Sequence, residues 1–286
     1  MKKLLVCTDG SVYATSICDH AAWLAKRLDA SIHVLNMLEP APIASFQSDF
    51  TGIIGFDAQQ KLSDELVALE QAKSRVAQSH ADVIIKAARA HLTESGIPDA
   101  EIEAEARHGT LVDAVADFDP THDMIVIGKR GEHADFAKGH LGSNLERVIR
   151  ISKHPVLVAA RAFQPIERVL IAFDGGPSAR KAIDYACRHP LFQGLSVRLL
   201  CVGSPSSAAK LELEAAQLKL HDAGHQVEVE QPNGEPEKII PEVVSRENIQ
   251  LLVMGAYGHS RIREFFIGST TTALVRTCQI PVLLFR

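Results

Sequence analysis

The chain contains the same series of segments twice. Residues 2–26, KKLLVCTDGSVYATSICDHAAWLAK, align with residues 167–190, ERVLIAFDGGPSARKAIDYACRHP, because a basic residue precedes an apolar run and an Asp-Gly pair in both. Three more pairs follow in the same order: 30–37 with 195–202, 122–131 with 249–258, and 140–161 with 266–286. Four correspondences in one order predict two homologous domains, 1–162 (the first half) and 163–286 (the second half).

The first half has a longer middle than the second. Residues 59–93 are rich in Ala, Leu, Lys, Glu and Gln and predict a long helix. Residues 206–223 predict a shorter version of the same helix in the second half. The stretch SFQSDFTGIIGF, at 45–56, is interpreted as a loop that leads into the long helix.

Short apolar or β-branched runs alternate with helical stretches in both halves. The predicted strands are LLVCT, SIHVLNM, EIEAEARHG, MIVIG and PVLVAA in the first half, and VLIAF, VRLLCV, QVEVEQ, LLVMG and PVLLF in the second. Continuous apolar runs of this kind suit strands that are covered on both faces. The alternation of strands and helices therefore predicts a doubly wound parallel α/β sheet in each half.

Two kinds of polar element follow the predicted strands. Asp9 and Asp174 come just after strand one of their halves, and Gly128 and Gly255 end strand four. Ligands of open parallel sheets bind beyond the carboxyl ends of the strands, where the strand order reverses. If strands one and four flank that point, the aspartate and the glycine of each half line one crevice.

The second half carries a glycine pattern after its fourth strand, GAYGHSRIREFFIGST at 255–270. Gly255 and Gly258 would let the backbone approach a ribose and its phosphates, since glycine lacks a β-carbon. Gly268, Ser269 and Thr270 would open the last helix. The free N–H groups and the positive dipole end of a helix N-terminus suit phosphate, and the two hydroxyls would add donors.

The pattern G-x2-G-x9-G-[ST] after an apolar strand, together with the early Asp-Gly, resembles the universal stress protein family in its tandem-domain form. The resemblance covers nearly the whole chain. It implies two Rossmann-like domains, of the adenine nucleotide alpha hydrolase-like kind, each a five-stranded parallel sheet flanked by helices. In one branch it also implies ATP or another adenine nucleotide in the crevice, and Mg²⁺ could accompany the phosphates.

The resemblance implies a role for each matching residue. The early aspartate and a backbone group on strand two would hold the adenine, and the glycine-motif residues would hold ribose and phosphates. Carried over to the second half, these residues are Asp174, Val202, Gly255, Gly258, Gly268, Ser269 and Thr270. In the first half they are Asp9, Val34, Gly128, Gly131, Gly142 and Ser143.

The first half departs from this pattern. Ten residues, not nine, separate Gly131 from Gly142, and Gly139 is another candidate for the third glycine. Lys129-Arg130 also stands where the second half has Ala256-Tyr257. Nucleotide binding is therefore predicted mainly for the second half.

Simpler roles compete with the nucleotide roles. Asp174 could cap the helix that follows it, and Ser269 and Thr270 could cap the last helix. Arg261 and Arg263 lie inside the motif loop and could reach phosphates, but a solvated loop arginine is as common.

The composition excludes several classes of protein. The formal net charge of −5 argues against a general nucleic-acid binder, which needs a basic surface. The chain has no apolar run near 18 residues, so the sequence predicts no membrane span. The first apolar stretch, LLVC, is too short for a signal peptide.

The cysteines and histidines predict neither disulfides nor a metal site. The five cysteines include no CxxC pair, which fits reduced, mostly buried thiols in a cytoplasmic protein. They are Cys7, Cys18, Cys187, Cys201 and Cys278. His133, His140 and His154 are the nearest cluster in sequence, but they lack metal-ligand spacing.

Three function classes remain open. The first is a nucleotide-binding protein of stress response or signalling, in which ATP occupancy changes conformation or partners. The second is a slow ATPase or another nucleotide-using enzyme, although the sequence lacks G-x-x-x-x-G-K-[ST], G-x-G-x-x-G and a visible nucleophile with its base. The third is an interaction or chaperone-like module that binds an apolar ligand, for which the loop FTGIIGF leaves room.

The resemblance also implies that the last strands of the two halves, PVLVAAR and PVLLFR, pair within the chain, since members of the family commonly pair through these strands. An exposed edge strand this apolar would be an aggregation hazard. We therefore expect the two strands to lie together about a pseudo-two-fold axis, as in a dimer. Two chains could associate further, and the protein partners are not encoded in any motif.

Overall fold

All ten predicted strands are present in the computed structural model, which describes residues 2–38, 56–129, 143–203, 207–257 and 268–286. They are β1 Lys2–Cys7, β2 Ala30–Leu38, β3 Ile102–His108, β4 Met124–Gly128, β5 Val156–Ala159, β6 Arg168–Ala172, β7 Ser196–Leu200, β8 Val227–Glu230, β9 Leu251–Gly255 and β10 Val282–Phe285. The predicted loop at 45–55 and the candidate residues Arg130, Gly131, His133, Gly139, His140, Gly142, Gly258, Arg261 and Arg263 lie outside the described residues.

The strands form one ten-stranded sheet in the order β3-β2-β1-β4-β5-β10-β9-β6-β7-β8. Within each half all neighbours are parallel, and the order 3-2-1-4-5 occurs twice. The strand order reverses beside strand one of each half, between it and strand four, so the predicted switch point lies there. The fold is therefore a tandem of two Rossmann-like units. The division at residue 162 stays a prediction.

The seam between the halves is the pair β5–β10, which is antiparallel, and Leu283 lies opposite Leu157 there. Both leucines are fully buried. This pairing confirms the prediction that the two C-terminal strands lie together in one chain. Each strand covers the apolar edge of the other half's sheet, which would otherwise be exposed.

Eight helices of the described residues cover the sheet: α1 Ala14–Leu28, α2 Phe56–Glu94, α3 Leu111–Phe118, α4 Ser143–Ile151, α5 Pro177–Arg188, α6 Ser207–Asp222, α7 Pro236–Arg246 and α8 Ser269–Thr277. The helix α2 confirms the long helix predicted at 59–93, and α6 is its shorter counterpart. Among these helices none combines the length and the apolar character that crossing a membrane requires.

The buried side chains form two clusters, one on each face of the sheet. Successive side chains of β1 point to opposite faces of the sheet. Leu4 and Val6 therefore belong to one cluster, and Leu5 and Cys7 belong to the other. Both clusters contain residues of both halves. The two halves therefore share both clusters, each of which lies between one face of the sheet and the helices that cover it.

Polar contacts reinforce the junction of the halves. Arg27, at the end of α1, donates from Nε to the carbonyl oxygen of Leu191 at 2.8 Å and from Nη2 to that of Gln193. Lys2 Nζ lies 3.0 Å from Nδ1 of His189. The first half therefore holds the short turn that precedes β7 of the second.

Two buried histidines meet near the amino ends of β2 and β4. Nδ1 of His33 lies 3.1 Å from Nε2 of His122, whose Nδ1 is 2.8 Å from the carbonyl oxygen of Phe118. Glu105 Oε1 is 3.3 Å from Nε2 of His33. Burial is the main cause that lowers the pKa of both rings, and the nearby charge of Lys3 lowers both further.

Acidification below about pH 6.5, the usual histidine pKa, is expected to destabilise the fold. The folded state resists protonation of His33 and His122, whereas the unfolded chain takes up protons freely. Stability is therefore full above that pH and falls as the pH drops towards the lowered pKa of the folded rings. The nearby charges of Glu105 and Glu103 raise the pKa of His33 and so offset part of this lowering.

Urea unfolding between pH 8 and pH 5.5 measures this loss. The double variant His33→Gln/His122→Gln should lose less stability over that range than the natural chain. An equal loss in both would show that other groups cause the acid sensitivity.

Candidate functional site

The crevice of the second half opens where β6 ends. Asp174 follows this strand by two residues, and its exposed carboxylate accepts a hydrogen bond from the N–H of Gly176 at 2.8 Å. Gly175 between them has φ of 76°, a left-handed conformation that favours glycine. Gly176 is the N-cap of α5. The aspartate thus shapes the turn ahead of the helix and does not cap it, contrary to the simpler interpretation, since Gly176 occupies the N-cap position. Asp174 stands at the carboxyl edge of the sheet.

The backbone of Val202 borders the same crevice. The N–H groups of Cys201 and Gly203 donate to the carbonyl oxygens of Glu230 and Pro232, at 3.0 and 2.8 Å, on the β8 side. Backbone groups of successive residues alternate between the two sides of a strand. The N–H and C=O of Val202 therefore face the β6 side, where Asp174 lies.

Gly255 ends β9 under the N-terminus of α5. A β-carbon at Gly255 would lie 2.9 Å from Cβ of Ser178 and 3.1 Å from the backbone nitrogen of Ala179. Real β-carbons do not approach other atoms this closely, so any larger residue would push α5 away. The first glycine of the motif is therefore required by packing between the strand and the helix.

The last helix begins as predicted, with Gly268 as N-cap and Ser269 as first residue of α8. The N–H of Gly268 donates to the carbonyl oxygen of Ala256 at 3.1 Å, and the hydroxyl of Thr271 donates to that of Gly255 at 3.2 Å. These bonds hold the start of α8 against the end of β9. The two ends of the glycine motif thus meet at the carboxyl edge of the sheet.

The first turn of α8 offers backbone donors to this edge. The first intrahelical bond runs from the N–H of Thr272 to the carbonyl of Gly268, at 2.9 Å. The N–H groups ahead of it have no acceptor within the helix, as at any helix start. Ser269 is exposed, and the hydroxyl of Thr270 donates to Glu237 at 3.2 Å. The edge therefore has the donors that a phosphate needs, with one carboxylate beside them.

Both halves of the chain match proteins of one known family. A family model described as "Universal stress protein family" matches residues 1–160 and 203–286. The chain belongs to the universal stress protein family. "Universal stress protein Slr1230" of Synechocystis is 38% identical over 289 residues, covering 100% of both chains.

Solved structures of universal stress proteins share the fold. One from Archaeoglobus fulgidus has a TM-score of 0.65 at 21% identity, and the match covers 99% of this chain and 96% of that one. Another universal stress protein was solved in complex with cAMP. It matches 43% of this chain and 98% of its own, at 22% identity and a TM-score of 0.37.

The first universal stress unit repeats the turn of the second. Asp9 accepts a hydrogen bond from the N–H of Ser11 at 3.0 Å, and Gly10 has φ of 75°. A β-carbon on Gly10 would lie 2.7 Å from Cδ1 of Ile84, a buried side chain of α2. The long helix therefore packs directly on the turn that follows β1.

The proposed equivalence of Val34 with Val202 does not hold. The N–H of Thr8 donates to the carbonyl of Leu35, as that of Phe173 does to Leu200, so the residue equivalent to Val202 is Met37. Val34 lies in the middle of β2, between Val6 of β1 and Ala104 of β3. The repeat itself already gives this equivalence, because the alignment of residues 30–37 with 195–202 pairs Met37 with Val202.

Lys129 points away from the first crevice. It follows β4 at the position that Ala256 has in the second half, but its side chain is only 7% exposed. Nζ donates to the carbonyl oxygen of Cys278 and, at 3.3 Å, to that of Ile280, both beyond α8 of the other half. The side chain thus joins the two halves, and burial lowers the pKa of its ammonium to about 8.

Arg180 is a residue of the second crevice that the sequence reasoning missed. Its Nη1 donates to the carbonyl oxygen of Gly175 at 2.9 Å and to Glu212 of α6 at 3.2 Å. It therefore places a cation on the turn beside Asp174. No motif marks it, because its position depends on the packing of α6 against α5.

The cysteines are free thiols, of which all but Cys187 are buried. Burial raises the pKa of the Cys7 and Cys18 thiols to about 12, so neither forms a reactive thiolate near neutral pH. In the part of the chain that the structure describes, no three His, Cys, Asp or Glu side chains group as metal ligands.

Proposed function

We propose that this universal stress protein binds ATP or another adenine nucleotide in the crevice of its second half. The observation that carries the proposal is the meeting of the α8 N-terminus with the end of β9, at the strand edge that Asp174 and Val202 also border. A nucleotide has a base and a phosphate chain at opposite ends. The Asp174 carboxylate and the backbone of Val202 could meet the base, and the helix N–H groups could meet the phosphates.

Each residue then has a defined task. Asp174 and the backbone of Val202 would hold the base, and Gly255 and Gly258 would give the ribose close access to the backbone. Gly268, Ser269 and Thr270 would hold the phosphates, with Mg²⁺ bound to them. Arg180 would add positive charge at the rim.

The first half is the weaker candidate. Its counterparts are Asp9, Met37, Gly128 and Ser143, with Gly131 and Gly142 in the longer motif loop. Ile84 packs on the turn after Asp9, and the ammonium of Lys129 is held by the other half. We therefore expect about one nucleotide per chain.

In this proposal nucleotide binding serves stress response or signalling, and bound ATP is hydrolysed slowly at most. A nucleotide that stays bound would stabilise one conformation and so alter which partners bind. The buried free thiols suit a reducing compartment such as the cytoplasm.

A role in binding other proteins is the second candidate, and the long helix favours it. Val76 and Val83 of α2 are 70% and 65% exposed and, seven residues apart, lie on the same side of the helix. Neighbouring exposed apolar side chains on one side of a helix are a basis for protein contacts. This role and nucleotide binding are compatible.

Nucleotide content and Mg-ATP titration test the main proposal. We expect ATP or ADP to be released when the purified protein is denatured, or Mg-ATP to bind the empty protein once per chain by calorimetry. The variant Gly268→Val should lose about 100-fold in affinity or more, roughly 3 kcal/mol, because its side chain would obstruct the phosphates. The backbone of Gly268, with φ −57° and ψ 141°, is accessible to valine, so the melting temperature should not change.

The matched control is Gly142→Val, the same change in the first half, which should leave the titration unaltered. Natural affinity in Gly268→Val would disprove the phosphate site at α8. Absence of both released nucleotide and Mg-ATP binding would reject the proposal as a whole.

A further inference from the structure

The long helix α2 has a segment that the rest of the described chain does not cover. The helix buries Ala81, Ile84, Ala88 and Leu92, which all lie in its C-terminal part. Between 61 and 80, about 30 Å of helix, no described side chain is buried. Helices in proteins draw most of their stability from packing one apolar face against another element. A helix this long and this exposed therefore points to a partner.

A stripe of small and mostly apolar side chains runs along one side of α2, and we call it the outer stripe. Its members follow one another at intervals of three or four residues, so they share one side of the helix. Every one of them is exposed. At about 3.6 residues per turn they lie opposite the buried Ala81, Ile84 and Ala88, and so face away from the sheet. The outer stripe consists of Leu69, Ala72, Val76, Ser79, Val83, Ala87 and Ala90.

The spacing within the outer stripe is that of helices that pack in pairs. Leu69, Val76 and Val83 recur every seven residues, and Ala72 and Ser79 lie between them. Two helices whose core residues follow this repeat pack side by side along their length. Large and small side chains also alternate along the stripe, so a second stripe that runs antiparallel places its small residues against the large ones. The outer stripe is therefore complementary to a second copy of itself.

Charges at the border of the outer stripe indicate the direction of the second helix. Arg75 and Asp82, seven residues apart, lie along the same border, and both are exposed. Their hydrogen-bond partners within the chain are neutral, since Arg75 Nε donates to the carbonyl oxygen of Gln71 at 3.4 Å and Asp82 accepts from the amide of Gln78 at 3.0 Å. In an antiparallel pair each border meets the same border of the other helix, so Arg75 of one copy lies opposite Asp82 of the second copy. A parallel pair brings unlike borders together and forms no such ion pair.

Association of two chains needs a surface other than the C-terminal strands, because β5 and β10 pair within one chain. We propose that two copies of the chain associate through the outer stripes of their α2 helices, which pack antiparallel about residues 77 and 78. Val76 of each copy then lies against Ser79 of the other, and the ion pairs between Arg75 and Asp82 fix the register. This proposal rests on the second candidate function above, whose partner it names, and it does not depend on nucleotide binding.

Sedimentation velocity of the full chain, from about 1 to about 200 μM, tests the association. We expect the fraction of dimer to rise with concentration. Val76→Asp should weaken the association about tenfold or more, because it places a charge in the centre of the outer stripe. The matched control is Val67→Asp, the same change at a valine of α2 that is 50% exposed. Val67 lies nine residues, or two and a half turns, from Val76 and so on the opposite side of the helix, and its change should leave the association unaltered.

Exchange of the two border charges tests the antiparallel arrangement. Arg75→Glu and Asp82→Arg should each weaken the association, because each sets like charges opposite one another. The double variant Arg75→Glu/Asp82→Arg restores opposite charges and should recover most of the affinity. Melting temperatures establish that the variants fold, and both residues are exposed, so neither change removes a buried contact.

Three outcomes would overturn the proposal. They are a natural chain that stays monomeric at every concentration, natural affinity in Val76→Asp, and a double charge variant as weak as the single ones. A monomeric chain would leave the general role in protein binding to a different partner of α2. Mg-ATP titration of Val76→Asp should match that of the natural chain, which separates this surface from the nucleotide crevice.

Discussion

Leu283→Ala is expected to lower the free energy of unfolding by about 3 kcal/mol, within the 2–5 kcal/mol typical of a fully buried leucine. Leu283 lies in β10 between Leu157 of β5 and Val253 of β9, and all three side chains are fully buried. The truncation leaves a cavity at the seam, where both halves contribute side chains and neither can move alone to fill it. Urea unfolding monitored by circular dichroism measures the loss.

Leu211→Ala is the matched control for this change. Leu211 is 66% exposed on α6, so the same truncation should alter stability by at most about 0.5 kcal/mol. A loss at Leu283 no larger than that at Leu211 would mean that the two halves do not share a core across β5 and β10.

Gly255→Ala is expected to cost about 1–3 kcal/mol, although it adds a single methyl group. The new carbon would lie 2.9 Å from Cβ of Ser178 and 3.1 Å from the backbone nitrogen of Ala179. Because the second contact is with backbone, the start of α5 must shift. Thermal and urea unfolding of the variant measure the cost.

A double-variant cycle identifies the cause. Ser178→Gly removes the nearest atom, so Gly255→Ala/Ser178→Gly should be less destabilised than the sum of the single changes. The rescue should be partial, since the contact with Ala179 remains. Purely additive losses would show that the glycine is not required by the approach of α5.

The sequence predicted the strands, the long helix and the start of α8 well, because each depends on a local pattern. Apolar runs such as LLVMG specify a buried strand by themselves. The helix after Gly268 is likewise indicated by the residues at its start and by its apolar periodicity. The pairing of β5 with β10 followed from the resemblance to the family, and the apolar character of both strands supported it.

The remaining features depend on contacts between distant residues. Nothing near Lys129 in sequence shows that its ammonium reaches carbonyls 149 and 151 positions away. The packing of Ile84 on Gly10 likewise depends on how α2 lies across the sheet. The misplacement of Val34 relative to Val202 was an error of a different kind, since the alignment of residues 30–37 with 195–202 already pairs Met37 with Val202.

Because the two halves belong to one chain, they need not remain identical. Two identical chains joined through β5 and β10 would separate on dilution and would carry every substitution twice. Here the partner of each half is part of the same molecule, so its effective concentration does not depend on how much protein is present. A residue can therefore change on one side alone, as Lys129 and Ala256 show. One chain can thus carry two differently specialised sites on a single pseudo-symmetric frame.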